Sequence, residues 1–182
     1  MAGTEFEVRG VNHLALVCSD MSRTVEFYKD ALGFELVKTL ELPNGLGQHF
    51  FFDIGNGDSL AFFWFPNAPE AVPGVTAPAA LPGRGDLTSA VGSMNHIAID
   101  VAPEKIDEYR ARLREKGVKC TGVVNHDDSE AGWSAEMHDG VFMRSVYFFD
   151  PDGLSLEFAA WARKLTAEDV RHAPASVATA SS

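Results

Sequence analysis

The chain has 182 residues, 46% hydrophobic and 23% charged, with a mean hydropathy of −0.06. That is a globular composition, and 13 Phe and 3 Trp supply enough apolar volume for a core without cross-links. A net charge of −11 argues against nucleic acid or an anionic membrane as partner and leaves small molecules as the expected ligands. Two cysteines, Cys18 and Cys120, make no disulfide framework. No secretory leader is visible, and no apolar run approaches the roughly 20 residues of a membrane span, so a reducing cytoplasm is the expected compartment.

Residues 1–8 form an N-terminal extension ahead of the first pattern. "VNHLALVCS" then alternates as a half-buried strand does. "DMSRTVEFYKDALGFE" has Asp20 as N-cap, Gly33 as a stop and Val25, Tyr28 and Leu32 at helical spacing. Three strand-like segments follow, "FELVKTLEL", "QHFFFDIG" and "SLAFFWF", the last two joined by a turn at "GNGD". Residues 67–92 are rich in Pro, Gly and Ala and read as a linker or a loop lying over a site.

The same order then recurs. "MNHIAIDV" is a strand, and "APEKIDEYRARLREKG" is a helix with Ile106, Tyr109 and Leu113 on one face and Gly117 as its stop. "VKCTGVVNH", "MRSVYFFD" and, beyond the turn "PDG", "LSLEFAAW" complete the unit. The chain is therefore expected to be α+β, two βαβββ modules at 9–66 and 93–162 paired about one curved mixed-sheet groove. The tail, 163–182, ends in "APASVATASS" and is expected to be partly disordered.

The repeat carries the chemistry. His13 and His96 occupy the same point of two similar strands, each after an asparagine. Aligning "FFDIGNGDSLAF" with "FFDPDGLSLEF", with one extra residue in the first turn, sets Ala61 against Glu157. Strand alternation puts His13, His96 and Glu157 on the face away from the helices, where a pseudo-twofold would gather them in one groove. Two imidazoles and one carboxylate with free positions form a facial triad for a divalent metal, and Ala61 leaves a fourth position open.

In these residues the chain resembles the vicinal oxygen chelate superfamily, which includes glyoxalase I, bleomycin-resistance proteins, fosfomycin-modifying enzymes and type I extradiol dioxygenases. "YFFDPDGLSLEF" looks like the family's last hairpin with its metal-binding Glu, and "NHLALVCSDMSRTVEFYKDALGFE" like a module opening. The resemblance spans about 9–162 and is closest in ligand pattern to the extradiol enzymes. It implies His13, His96 and Glu157 as ligands of Fe(II), then Mn(II), with Zn(II) or Ni(II) as further options. It further implies Tyr147 as the substrate-orienting catalytic residue, a substrate chelating through two adjacent oxygens, and a homodimer. A dioxygenase is the leading expectation; a lyase or isomerase, or a metal-free drug-binding protein, are the alternatives.

The acid-base histidine of extradiol enzymes has no counterpart, since Asp58 stands near its place. His49 is set opposite Val146 by the same alignment and is expected to turn toward the helix, with Gln48 facing the groove. Phe50, Phe52, Phe63 and Phe65 are expected on the groove face, and Phe62 and Trp64 beneath the helix. His126 and His138 are expected at the surface or behind the site. Arg144 is either an anion contact or a cross-strand ion pair, and His172 lies in the tail.

Overall fold

In a computed structural model, which describes residues 9–175, the first Asn-His segment folds into strand β1 (His13–Cys18). Leu14, Leu16 and Cys18 turn inward, while His13, Ala15 and Val17 stay exposed. The extension 1–8 and residues 176–182 of the tail lie outside the described residues. Asp20 caps helix α1 (Met21–Val25), its carboxylate accepting from Arg23 N at 3.0 Å. Instead of continuing as an α-helix, the chain widens into π turns over Glu26–Ala31, with Leu32 N bonded to Phe27 O five residues back. The wider turns carry Tyr28 into full burial against Phe34, Phe52 and Phe62.

Strands β2 (Glu35–Glu41), β3 (Gln48–Gly55) and β4 (Asp58–Trp64) complete a four-stranded sheet of order β1-β4-β3-β2, with β1 parallel to β4. The second module repeats the plan. It comprises β5 (Ile97–Asp100), α2 (Ile106–Glu115), β6 (Val124–His126), β7 (Trp133–Ser134), β8 (Met143–Phe149) and β9 (Ser155–Trp161). Its order is β5-β9-β8-β6-β7, with β5 parallel to β9. The short β7 was not foreseen. Of "VKCTGVVNH" only the last three residues join the ladder, and Cys120 makes an isolated bridge to Phe148.

The helix-side faces of both sheets meet in one core. Tyr28, Phe52, Leu60 and Phe62 come from the first module, and Ile99, Ile106, Phe148, Leu156 and Phe158 from the second. Across the joint, Tyr28 Oη donates to Asp150 Oδ2 at 3.1 Å, and Ser19 Oγ donates to Asp152 Oδ1 at 2.6 Å. Because the helix sides are used up in this core, the opposite sheet faces, which carry His13 and His96, point outward. Residues 67–92 form neither helix nor strand apart from the Pro73–Ala77 bridge. Ala77 and Leu81 are nonetheless buried, and Arg84 Nη2 reaches Cys120 O at 3.1 Å. The whole is α+β, two mixed sheets with few helices. No helix among the described residues is long and apolar enough to cross a membrane.

Candidate metal centre

Strand β9 places Glu157 opposite Tyr147 of β8 and Ala98 of β5. Its carboxylate is 1% exposed, yet only one oxygen is engaged: Oε2 lies 3.1 Å from His96 Nε2, and Oε1 has no hydrogen-bond partner. Burial is the largest influence and pushes the Glu157 carboxyl up, but the bond and charge of His96, with Ser145 and Tyr147 nearby, together outweigh it and hold the group below its ordinary range. The same bond raises His96, against the opposing pull of burial.

The repeated asparagines now have a structural role. Asn95 Oδ1 lies 2.9 Å from His96 Nδ1, and Asn12 Oδ1 lies 2.7 Å from His13 Nδ1. Each amide oxygen accepts from Nδ1 and so directs Nε2 outward: that of His13 is open, and that of His96 is the donor to Glu157, whose proton a metal would replace. His96 and Glu157 are thus brought together, with the edge of the Tyr147 ring beside them, 6.0 Å from the His96 ring. His13 sits on the other sheet. Among the described residues no three His, Cys, Asp or Glu side chains gather closely enough to hold one ion.

Strand register corrects the alignment of the two modules. Asp53 pairs with Ser59 and Phe149 with Ser155, so the two hairpins are equal in length, and Phe51, opposite Ala61, is the counterpart of Tyr147. The two "FFD" strings are therefore offset by one residue in the paired sheets. One slip reverses every side chain on a strand. His49 therefore faces outward, and Phe50 and Phe52 pack into the core, contrary to expectation. Phe63 and Phe65 do extend the outward face. His49 stacks on Phe63 at 3.6 Å, and Phe63 on Phe65 at 5.4 Å. Phe62 and Trp64 lie on the helix side as expected. Burial and the nearby His13 both hold His49 below the ordinary imidazole range, so it is neutral near pH 7.

His126 is also in the site. Opposite Met143 on β6, it shares the face of Tyr147, and its Nε2 lies 3.2 Å from Tyr147 Oη. The 127–140 segment, which hides this strand in the sequence, is pinned behind it. Asp127 accepts from Ser129 and from His138 Nε2 at 3.0 Å, and His138 Nδ1 accepts from Gly140 N, so His138 is structural. Arg144 lies on the helix side, bonded to Asp107 at 3.0 Å and Asn125 at 3.3 Å, which resolves it as an ion pair. His172 is exposed.

The arrangement suits a metal. The buried side-chain atoms without partners among the described residues are Glu157 Oε1, Ser145 Oγ and His49 Nε2, and all three are on outward faces. Ser145 and His49 occupy equivalent positions of the repeat. Buried polar atoms left unpaired in a folded protein are uncommon, and a bound ion is one of the partners that satisfies them. Here an imidazole nitrogen and a carboxylate oxygen form the donor set of a borderline divalent ion.

Residues 10–158 match the model of the Glyoxalase/Bleomycin resistance protein/Dioxygenase superfamily. The chain belongs to this family. It is 25% identical over 150 residues to "Uncharacterized protein YwkD" of Bacillus subtilis, covering 82% of this chain and 95% of that one. It is 27% identical over 150 residues to "Glutathione transferase FosA" of Serratia marcescens, covering 82% and 79%. In fold it is similar to a mutant of the fosfomycin resistance protein FosX of Listeria monocytogenes, crystallised with Mn(II) and 1S,2S-dihydroxypropylphosphonic acid. That likeness has a TM-score of 0.52 and 21% identity, covering 85% of this chain and 94% of that one.

Proposed function

We propose that the protein is a metal-dependent enzyme acting on a small substrate that binds through two adjacent oxygens. It works as a homodimer in which each ion is held by His96 and Glu157 of one protomer and by His13 of the partner subunit. The observation that carries this reading is Glu157, a buried carboxylate with one oxygen on a histidine and the other unpaired. The outward faces support a second copy as the occupant. Val17 and Leu40 share the His13 face at 55% and 39% exposure, and Trp133 and Trp161 share the Glu157 face at 53% and 52%. Covering such side chains favours association, and β1 and β5 are both edge strands.

A divalent ion at this centre, Mn(II) or Fe(II) by its donors, acidifies chelated hydroxyls and offers charge to a developing oxyanion. The chain's own residues do the rest. Tyr147 orients the ligand, and His49, Phe51, Phe63 and Phe65 line the opposing wall. The reaction best supported is proton transfer with addition or isomerisation on the chelated substrate, in keeping with the fosfomycin resistance relatives. Ring-cleaving dioxygenation is a second reading, favoured by Ala61, which leaves the fourth carboxylate position of the repeat empty.

The test is complementation. His13→Ala and Glu157→Ala proteins should each lose stoichiometric Mn(II) binding. Mixed after unfolding and refolding, they should regain about a quarter of the wild-type sites, since half the dimers are hetero and each restores one of two sites. No recovery would sink the shared site, and Mn(II) binding unaffected by Glu157→Ala would sink the metal centre. Oxygen uptake with catechols by the Fe(II)-loaded protein separates the two reaction readings.

A further inference from the structure

The contact between His126 and Tyr147 gives Tyr147 more than an orienting role. His126 Nε2 faces Tyr147 Oη at 3.2 Å, and both side chains lie on the sheet face that carries Glu157. Tyr147 is 6% exposed, and a phenol so buried keeps its proton. A phenol that retains its proton beside an open imidazole nitrogen is the donor of that bond. Its oxygen lone pairs then remain free on the Glu157 side, where a ligand would sit.

We infer that His126 and Tyr147 form a proton-relay pair, with His126 the positioning residue that draws the proton of a ligand hydroxyl through Tyr147. The ligand O–H bond breaks and its proton passes to Tyr147 Oη; the phenolic proton passes to His126 Nε2. The phenol is regenerated, the imidazole becomes imidazolium, and the ligand becomes an oxyanion. No oxidant or further reactant is needed. Glu157 and Asp127 favour the imidazolium and His96 opposes it, while Phe142 stacks near the ring at 6.4 Å without charge. Burial is the largest influence on His126 and keeps it neutral until the proton arrives. His126 is distinct from His49, which lies on the other sheet and packs against the Phe51 and Phe63 rings.

The inference rests on the chelate reading above, so two measurements separate their failures. In metal-free protein carrying isotope-labelled histidine, nuclear magnetic resonance should find His126 in the Nδ1–H form, with its Nε2 signal shifted by Tyr147→Phe. An Nε2–H form, or a signal indifferent to that substitution, overturns the pair whether or not the protein binds metal. In Mn(II)-loaded protein, nitrocatechol serves as the adjacent-oxygen probe, and its ionisation is followed by absorbance against pH. His126→Gln keeps an acceptor for the phenol but cannot take a proton. It should raise the apparent pKa of the bound probe by about one unit, a tenfold loss of ionised probe near neutrality, with affinity at high pH unchanged. Superimposable pH profiles of wild type and His126→Gln overturn the relay. If wild-type protein binds no nitrocatechol, the chelate reading falls and the resonance result alone decides the pair.

Discussion

A buried hydroxyl with no partner is a cost the fold carries for something other than stability. Ser145 Oγ lies near both Glu157 and Tyr147, close enough to bias their protonation, yet closes a hydrogen bond with neither. Ser145→Ala should therefore stabilise the metal-free protein by about 1 kcal/mol, measured by urea denaturation, because the desolvated oxygen goes and no bond is lost. A loss of stability would mean that the hydroxyl has a partner. At this scale the sequence was informative where chemistry is local. Asn-His followed by alternating aliphatics marks His13 and His96 without knowledge of any partner strand. His49 was different, because its direction depends on pairing register across a hairpin, and a shared "FFD" string is weaker than hydrogen-bonded pairing. His126 was hidden by the inserted 127–140 segment, which separates it from the strand that orients it.

Among the elements, β3 shows how a single backbone position sets an entire wall. Gly47, with φ of +146°, lies so close to β4 that a Cβ there would stand 1.9 Å from Trp64 O. The approach directs the chain into β3 so that His49 falls opposite Phe63. Gly47→Ala must push the two strands apart. It should cost about 3 kcal/mol or more by chemical denaturation and disrupt the His49–Phe63 stack, seen as a changed His49 resonance. A nearly neutral effect would mean that this approach is not what fixes the register. The βαβββ order and both sheets were legible because strand alternation and helix stops are local signals. The π turns after Val25 were not, since they arise from the burial of Tyr28 between strands that come later in the chain.

In the molecule as a whole, the joint between modules contains an acid that holds its proton more tightly than an exposed carboxyl does. Asp150 accepts from Tyr28 Oη, Asp152 N and Leu154 N. Burial outweighs those bonds, and its carboxyl is pushed up from 3.8 to about 6. The folded protein therefore holds this proton more tightly than the unfolded chain does. Its contribution to stability is greatest below about pH 4 and is lost as pH rises through 6, a total change of about 3 kcal/mol. Asp150→Asn, which mimics the neutral acid, should flatten the dependence of unfolding free energy on pH between about 4 and 6. An unchanged slope in the variant would mean that another group governs that range.

Cys18 and Cys120 are both free thiols, one at each module's core edge. Cys18 is 2% exposed, and burial pushes its thiol up, so a reagent reaches it as a thiolate only when the core opens. Cys120 is half-buried and bridges to Phe148 in the second module. The chain thus contains two chemical clocks, one in each repeat. Their alkylation rates report whether the modules breathe as one body or in turn.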